Sequence, residues 1–219
     1  MGHQAKILAA ISMVGWSLFG WAADAPKQNP QVTVFVTDRA GATPRLVAAA
    51  EQNAARVFQQ AGVDVAWVNC GSPEVPTDVQ CGQEVAPGDL VVRIIARART
   101  LPSGVFGVSF LDNRAGVYAD VFFNPIQQVR EVNKEISLPA ILGDVIAHEL
   151  GHLLLGSNAH SPDGIMQPHW NAEQLHRVAL GQMRFTKEQA AKMQNRIASF
   201  QKQSPTPPVL AAVNRWSSR

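Results

Sequence analysis

The segment from His148 to Pro168 reads HELGHLLLGSNAHSPDGIMQP and concentrates residue types that bind metal ions and move protons. His148 and His152 are four positions apart. On a helix they lie one turn apart on the same face and can address a single ion. Neutral imidazole suits Zn²⁺ at about 2.0–2.1 Å, and zinc lowers the pKa of a bound water to about 7. Glu149, beside the first histidine, is placed to take a proton from a zinc-bound water and pass it to a leaving amine, a mechanism for hydrolysing a carbonyl substrate. With six His and eight Glu in 219 residues, the pattern is expected by chance only about 0.006 times. The competing reading is a buried helix whose two histidines bond to backbone carbonyls. Two imidazoles and a carboxylate are costly guests in a core that has no metal to use them.

A catalytic zinc site takes three protein ligands and leaves a fourth position open. His160 is the expected third ligand, because Gly156 can adopt a left-handed conformation, stop the helix and let Ser157-Asn158-Ala159 return the chain. Glu173 is the competitor, a carboxylate on a following helix that would give a His₂Glu site. His169 and His176 read as surface groups or as neighbours of the ligands. Gly164 and Pro168 bracket a tight turn around Met166, whose apolar, polarizable side chain would pack beneath the ligands without competing for the ion.

The elements that must carry these residues follow from periodicity. Alternating, β-branched runs at 31–38, 63–69, 89–96, 104–112 and 116–123 read as strands. The last two are joined by the turn-like DNRAG. Residues 43–62 have Leu46, Ala50, Ala54, Val57 and Phe58 at helical spacing, with Pro44 near the start and Gly62 at the end. Further helices are expected at 125–135, 138–156, 172–180 and from 186. Thr186 caps the last of these, with Gln189 in the capping-box position. The order predicts an α+β fold in which one mixed sheet carries helices and the motif sits on the long helix after the last strand. We find no internal repeat.

Composition bounds the setting. A chain of 219 residues with 46% hydrophobic content suffices for one core. The net charge of +2 and the absence of a Lys/Arg block give no electrostatic footprint for a nucleic-acid partner. Residues 1–22 have the layout of a secretory signal peptide: Lys6, an apolar run from Ile7 to Trp21, then small residues. The run is short for a spanning helix of about 20 residues, and no Cys lies near for a lipid anchor, so no membrane anchor is expected after signal removal. Cys70 and Cys81, the only cysteines, are expected to form a disulfide in an exported chain, secreted or periplasmic. Residues 203–219 are Pro/Ser-rich and read as a mobile tail.

His148, Glu149, His152, Gly156, His160 and Met166, in that order, resemble the metzincin clan of zinc metallopeptidases. Residues 160–168, HSPDGIMQP, look like the matrixin-type run from a third histidine to a Met-x-Pro turn. The resemblance spans roughly residues 31–202. It implies a metzincin-like zincin fold: a mixed twisted sheet of about five strands, an active-site helix, a Met-turn and a C-terminal helix. It further implies one catalytic Zn²⁺ held by His148, His152 and His160, with Glu149 as the catalytic residue of an exported zinc endopeptidase. A peptide or protein substrate would lie along an edge strand, for which 104–111 is the candidate, and Trp170 and Leu175 would help to form its pocket. The clan's usual spacing is H-E-x-x-H-x-x-G-x-x-H, whereas this chain has one extra residue on each side of the glycine. Two alternatives stand beside this reading: a gluzincin-type peptidase with Glu173 as third ligand, and a non-catalytic, zinc-stabilised exported binding module.

Overall fold

The computed structural model describes residues 28–71, 81, 85–98 and 104–203. The expected signal peptide, most of the loop between the cysteines and the tail beyond Gln203 lie outside the described residues. The elements are β1 (Gln31–Asp38), α1 (Pro44–Gln60), β2 (Asp64–Asn69), β3 (Leu90–Ile95), β4 (Gly107–Asp112), β5 (Ala115–Phe122), α2 (Phe123–Val132), α3 (Leu138–Leu155), α4 (Ala172–Ala179) and α5 (Lys187–Gln203). The five strands form one sheet in the order β2-β1-β3-β5-β4. All neighbours are parallel except β4, which pairs antiparallel with β5. The α+β architecture with a mixed sheet of about five strands, expected from the sequence, is the one observed. The fourth strand starts at Gly107, three residues later than its hydrophobic run suggests.

One face of the sheet builds the core. Val32, Val34, Val36, Leu90, Val92, Ile94, Ala119 and Val121 alternate with less buried neighbours and are nearly or wholly buried. Helices α1 and α3 belong to the same core cluster. α3 is long and apolar enough to cross a membrane by length and composition, but 83% of it is buried inside the protein, so it is a core helix. Fully burying each Leu or Ile of such a helix contributes about 1.5–3 kcal/mol. Ser137 caps its start by accepting from the Ala140 N–H at 3.3 Å, and Pro139 lies in its first turn. Small residues let α1 approach: Ala50 and Ala54 are fully buried, and a Cβ on Gly143 would collide with the Ala50 carbonyl.

A polar network crosses the α1–α3 contact. Asn53 Nδ2 donates to Asp144 Oδ1 at 2.8 Å and to the Ala140 carbonyl at 3.0 Å, and Arg56 donates to Asn53 Oδ1. Asp144 Oδ2 is buried and meets no partner among the described residues. Burial pushes the Asp144 carboxyl up to about 7, against the opposing effects of Asn53 and Arg56. The neutral form is therefore the one the fold prefers. Stability from this group is full below pH of about 4, its unfolded value, and is lost as pH rises through about 7. Urea unfolding of Asp144→Asn against the parent checks this. The variant should gain relative stability between pH 5 and 8, on the order of 2–4 kcal/mol at the upper end. A slope remaining in the variant is expected from Glu51, which burial also pushes up to about 7.

Candidate metal centre

The site is built where α3 ends. Gly156 takes the left-handed conformation (φ 61°, ψ 40°) and ends the helix. The Gly156 N–H returns to the Leu153 carbonyl and the Ser157 N–H to the His152 carbonyl, both at 3.2 Å. Helix α3 runs through Leu155, which accommodates the extra residue before the glycine. The chain then turns back and places His160 beside the helix. The ligand atoms of His148, His152 and His160 all lie within 4.8 Å of one another. The ring centroids of His160 are 5.4 Å from those of His148 and 4.9 Å from those of His152.

Backbone carbonyls fix the histidine tautomers. His148 Nδ1–H donates to the Ile165 carbonyl at 2.7 Å and His152 Nδ1–H to the Ser157 carbonyl at 2.8 Å. A carbonyl only accepts, so each neutral ring carries its proton on Nδ1 and presents a bare lone pair at Nε2. Burial lowers the His148 pKa to about 4 and depresses those of His152 and His160 as well, which favours the neutral, ligating form of each. The two Nε2 atoms are 3.1 Å apart. Two bare lone pairs at that distance repel unless a cation lies between them. Two nitrogens each about 2.05 Å from a tetrahedral ion would be about 3.3 Å apart. The donor set, tautomers and spacing thus fit Zn²⁺.

The segment after His160 supports these rings. The Ser161 N–H bonds the Met166 carbonyl at 2.9 Å, the Ile165 N–H bonds the Arg184 carbonyl at 2.8 Å, and Gln189 Nε2 bonds Ser161 Oγ at 3.2 Å. Thr186 and Gln189 form the expected reciprocal cap of α5, so that helix holds the turn from below. Ile165 and Met166 are fully buried. A Cβ on Gly151 would lie 2.7 Å from Met166 Sδ and 2.7 Å from Phe185, so the turn packs under α3 between the two ligands where the helix has no side chain.

Glu149 is buried on the side of α3 that faces β4. Ser109 Oγ lies 2.7 Å from Glu149 Oε2 and 2.7 Å from the Glu149 carbonyl. Burial pushes the carboxyl up to about 7, partly opposed by the Ser109 hydrogen bond. A carboxyl that changes charge near neutrality suits both accepting and returning a proton. Trp170 stands beside the cluster, its ring 6.0 Å from His148 and 6.4 Å from Phe106, and both Trp170 and Leu175 are half-buried and pack against the core. Glu173 is not brought to the cluster: its exposed carboxylate accepts from Arg177 Nη2 at 2.8 Å. His169 is near enough to His160 to lower its pKa further, but it lies outside the trio, as does His176. Cys70 and Cys81 form a disulfide with their Cα atoms 5.4 Å apart.

Ser109, Gly107, Gly151 and the carbonyls of Ser157 and Ile165 define no motif in the sequence. In β4 the apolar Val108 and Phe110 share one face, so alternation alone would turn Ser109 outward, whereas Ser109 is buried and Phe110 exposed.

No family model matches the sequence, and no curated protein matches it. Solved structures similar to it include an archaemetzincin from Methanopyrus kandleri, at 18% identity and a TM-score of 0.44, covering 80% of this chain and 99% of that one. A zinc-dependent peptidase from Methanocorpusculum labreanum is similar at 15% identity and a TM-score of 0.47, covering 74% of this chain and 99% of that one.

Equilibrium dialysis against buffered zinc tests the ligand set. The parent chain should bind one ion, and His160→Ala should weaken binding by at least about 100-fold, more than the loss of a supporting group costs. Glu173→Ala should bind as the parent does.

Proposed function

We propose that the chain is an exported zinc-dependent endopeptidase of the metzincin type with a matrixin-like Met-turn. The observation that carries this reading is the convergence of three neutral imidazoles beside a buried, non-ligating carboxyl near neutrality. His148, His152 and His160 would hold Zn²⁺, and the backbone carbonyls at Nδ1 would keep the first two rings in register. The ion, when bound, supplies a Lewis acid that acidifies water and draws charge from a carbonyl oxygen.

The chain's own groups do the rest. Glu149 accepts a proton from water and delivers it to the departing amine nitrogen, so the peptide C–N bond breaks as a C–O bond forms. Strand β4 lies at the end of the sheet, and among the described residues no strand pairs with its outer side. An extended peptide can add there as a further strand through main-chain hydrogen bonds. An open edge takes the middle of a chain as readily as its end, which favours internal cleavage. Trp170 supplies an apolar wall at one side of the ligands. Export is supported by the disulfide together with the N-terminal leader pattern.

His160 rather than Glu173 is favoured as third ligand by its place within the cluster and by the outward pairing of Glu173 with Arg177. The buried Glu149 carboxyl favours a peptidase over a zinc-stabilised binding module, since a structural site has no use for it. Cleavage of an unfolded protein substrate by Glu149→Gln and by the parent tests the proposal. The variant should keep its zinc and lose about 10²–10⁴-fold in rate. Equal cleavage by both would remove Glu149 from the chemistry.

A further inference from the structure

Strand β4 is more than the edge of the sheet. Its side chains alternate between the two faces of the sheet, and those of Gly107 and Ser109 fall on the inner face against α3. There, Ser109 Oγ reaches both the side chain and the backbone carbonyl of Glu149, each at 2.7 Å. Gly107 meets the same carboxyl from the other side. A Cβ built on it would lie 2.6 Å from both Cγ and Oε1 of Glu149 and 2.7 Å from Cδ. The seat of the carboxyl is thus formed by one hydroxyl and one absent side chain, two residues apart.

The backbone of these residues points elsewhere. The Phe122 N–H donates to the Phe106 carbonyl at 2.8 Å, so Phe106 turns its polar groups toward β5. In an antiparallel pair that orientation alternates. In the observed register Val108 and Phe110, opposite Asp120 and Tyr118, also face β5. The N–H and C=O groups of Gly107 and Ser109 then face the open edge.

We propose that Gly107 and Ser109 are positioning residues that link substrate pairing to the placement of Glu149: their main chain receives the peptide, and their side-chain positions seat the carboxyl. The inference rests on Glu149 acting as the proton carrier, and it adds what holds that carrier at the strand the substrate joins. Misplacing a catalytic group by about 1 Å costs on the order of 100-fold in rate.

The test uses Ser109→Ala, Ser109→Thr and Gly107→Ala in the full chain. Zinc content and thermal unfolding are measured for each, kcat and KM are separated on a peptide substrate, and crystal structures of the zinc-free parent and Ser109→Ala are compared. Ser109→Ala should keep one zinc, lose about 10- to 100-fold in kcat with KM within about twofold, and show the Glu149 carboxyl swung away from β4. Ser109→Thr retains the hydroxyl and should restore most of kcat. Gly107→Ala should also lose kcat with zinc retained. Parental kcat in Ser109→Ala, or an unmoved carboxyl in its crystal structure, would overturn the proposal. If the parent itself does not cleave, the proposed function fails, and the crystal structures still decide the seat of Glu149.

Discussion

Helix α3 takes four ionisable side chains, Asp144, His148, Glu149 and His152, into a core where an unpartnered polar group is expensive. The other elements are arranged around that constraint. Asn53 of α1 bonds Asp144, the turn after the helix gives a carbonyl to His152, Ile165 gives one to His148, and Ser109 of the edge strand bonds Glu149. Each of these four side chains is met by a different part of the chain, although Asp144 Oδ2 keeps no partner among the described residues. This is why a nearly all-apolar helix can display two imidazoles on one face without being pulled toward solvent.

The same arrangement explains the tightness of the packing. Gly143 lets α1 in on one side of α3 and Gly151 lets Met166 and Phe185 in below, each where a Cβ would collide with its neighbour. At its end, Gly156 adopts a conformation that most residues avoid. A Cβ there would lie 2.5 Å from Arg196 Nη1, and Arg196 also donates to the Arg114 carbonyl at 2.9 Å. The helix end, the β4–β5 turn and α5 therefore meet at one arginine. The disulfide and the Glu51–Asn69 contact lie at the other end of the parallel pair β1–β2 and do not touch this site.

Much of this was legible in the sequence, for local reasons. A period of two in QVTVFVTD and a helical period in α1 state their structures directly, and Thr186 and Gln189 announce the start of α5. The four-residue spacing of His148 and His152 needs only a helix to acquire meaning. His160 was harder, since a loop histidine and the helical Glu173 both lie within reach along the chain. Only the hydrogen bonds that fold residues 161–166 back, and the Arg177 partner that draws Glu173 outward, distinguish them. The link between Ser109 and Glu149 spans 40 residues and depends on strand register against a helix face. Pairwise geometry of that kind leaves no trace in composition or periodicity. The same holds for Asn53 and Asp144.

The proposed chemistry depends on a three-imidazole seat for zinc with one position left open. X-ray absorption at the zinc edge of the purified chain addresses it most directly. The expected result is three imidazole nitrogens at about 2.0–2.1 Å and a single additional oxygen. A sulfur shell, fewer than three imidazoles, or a chain that holds no zinc at the edge would contradict it.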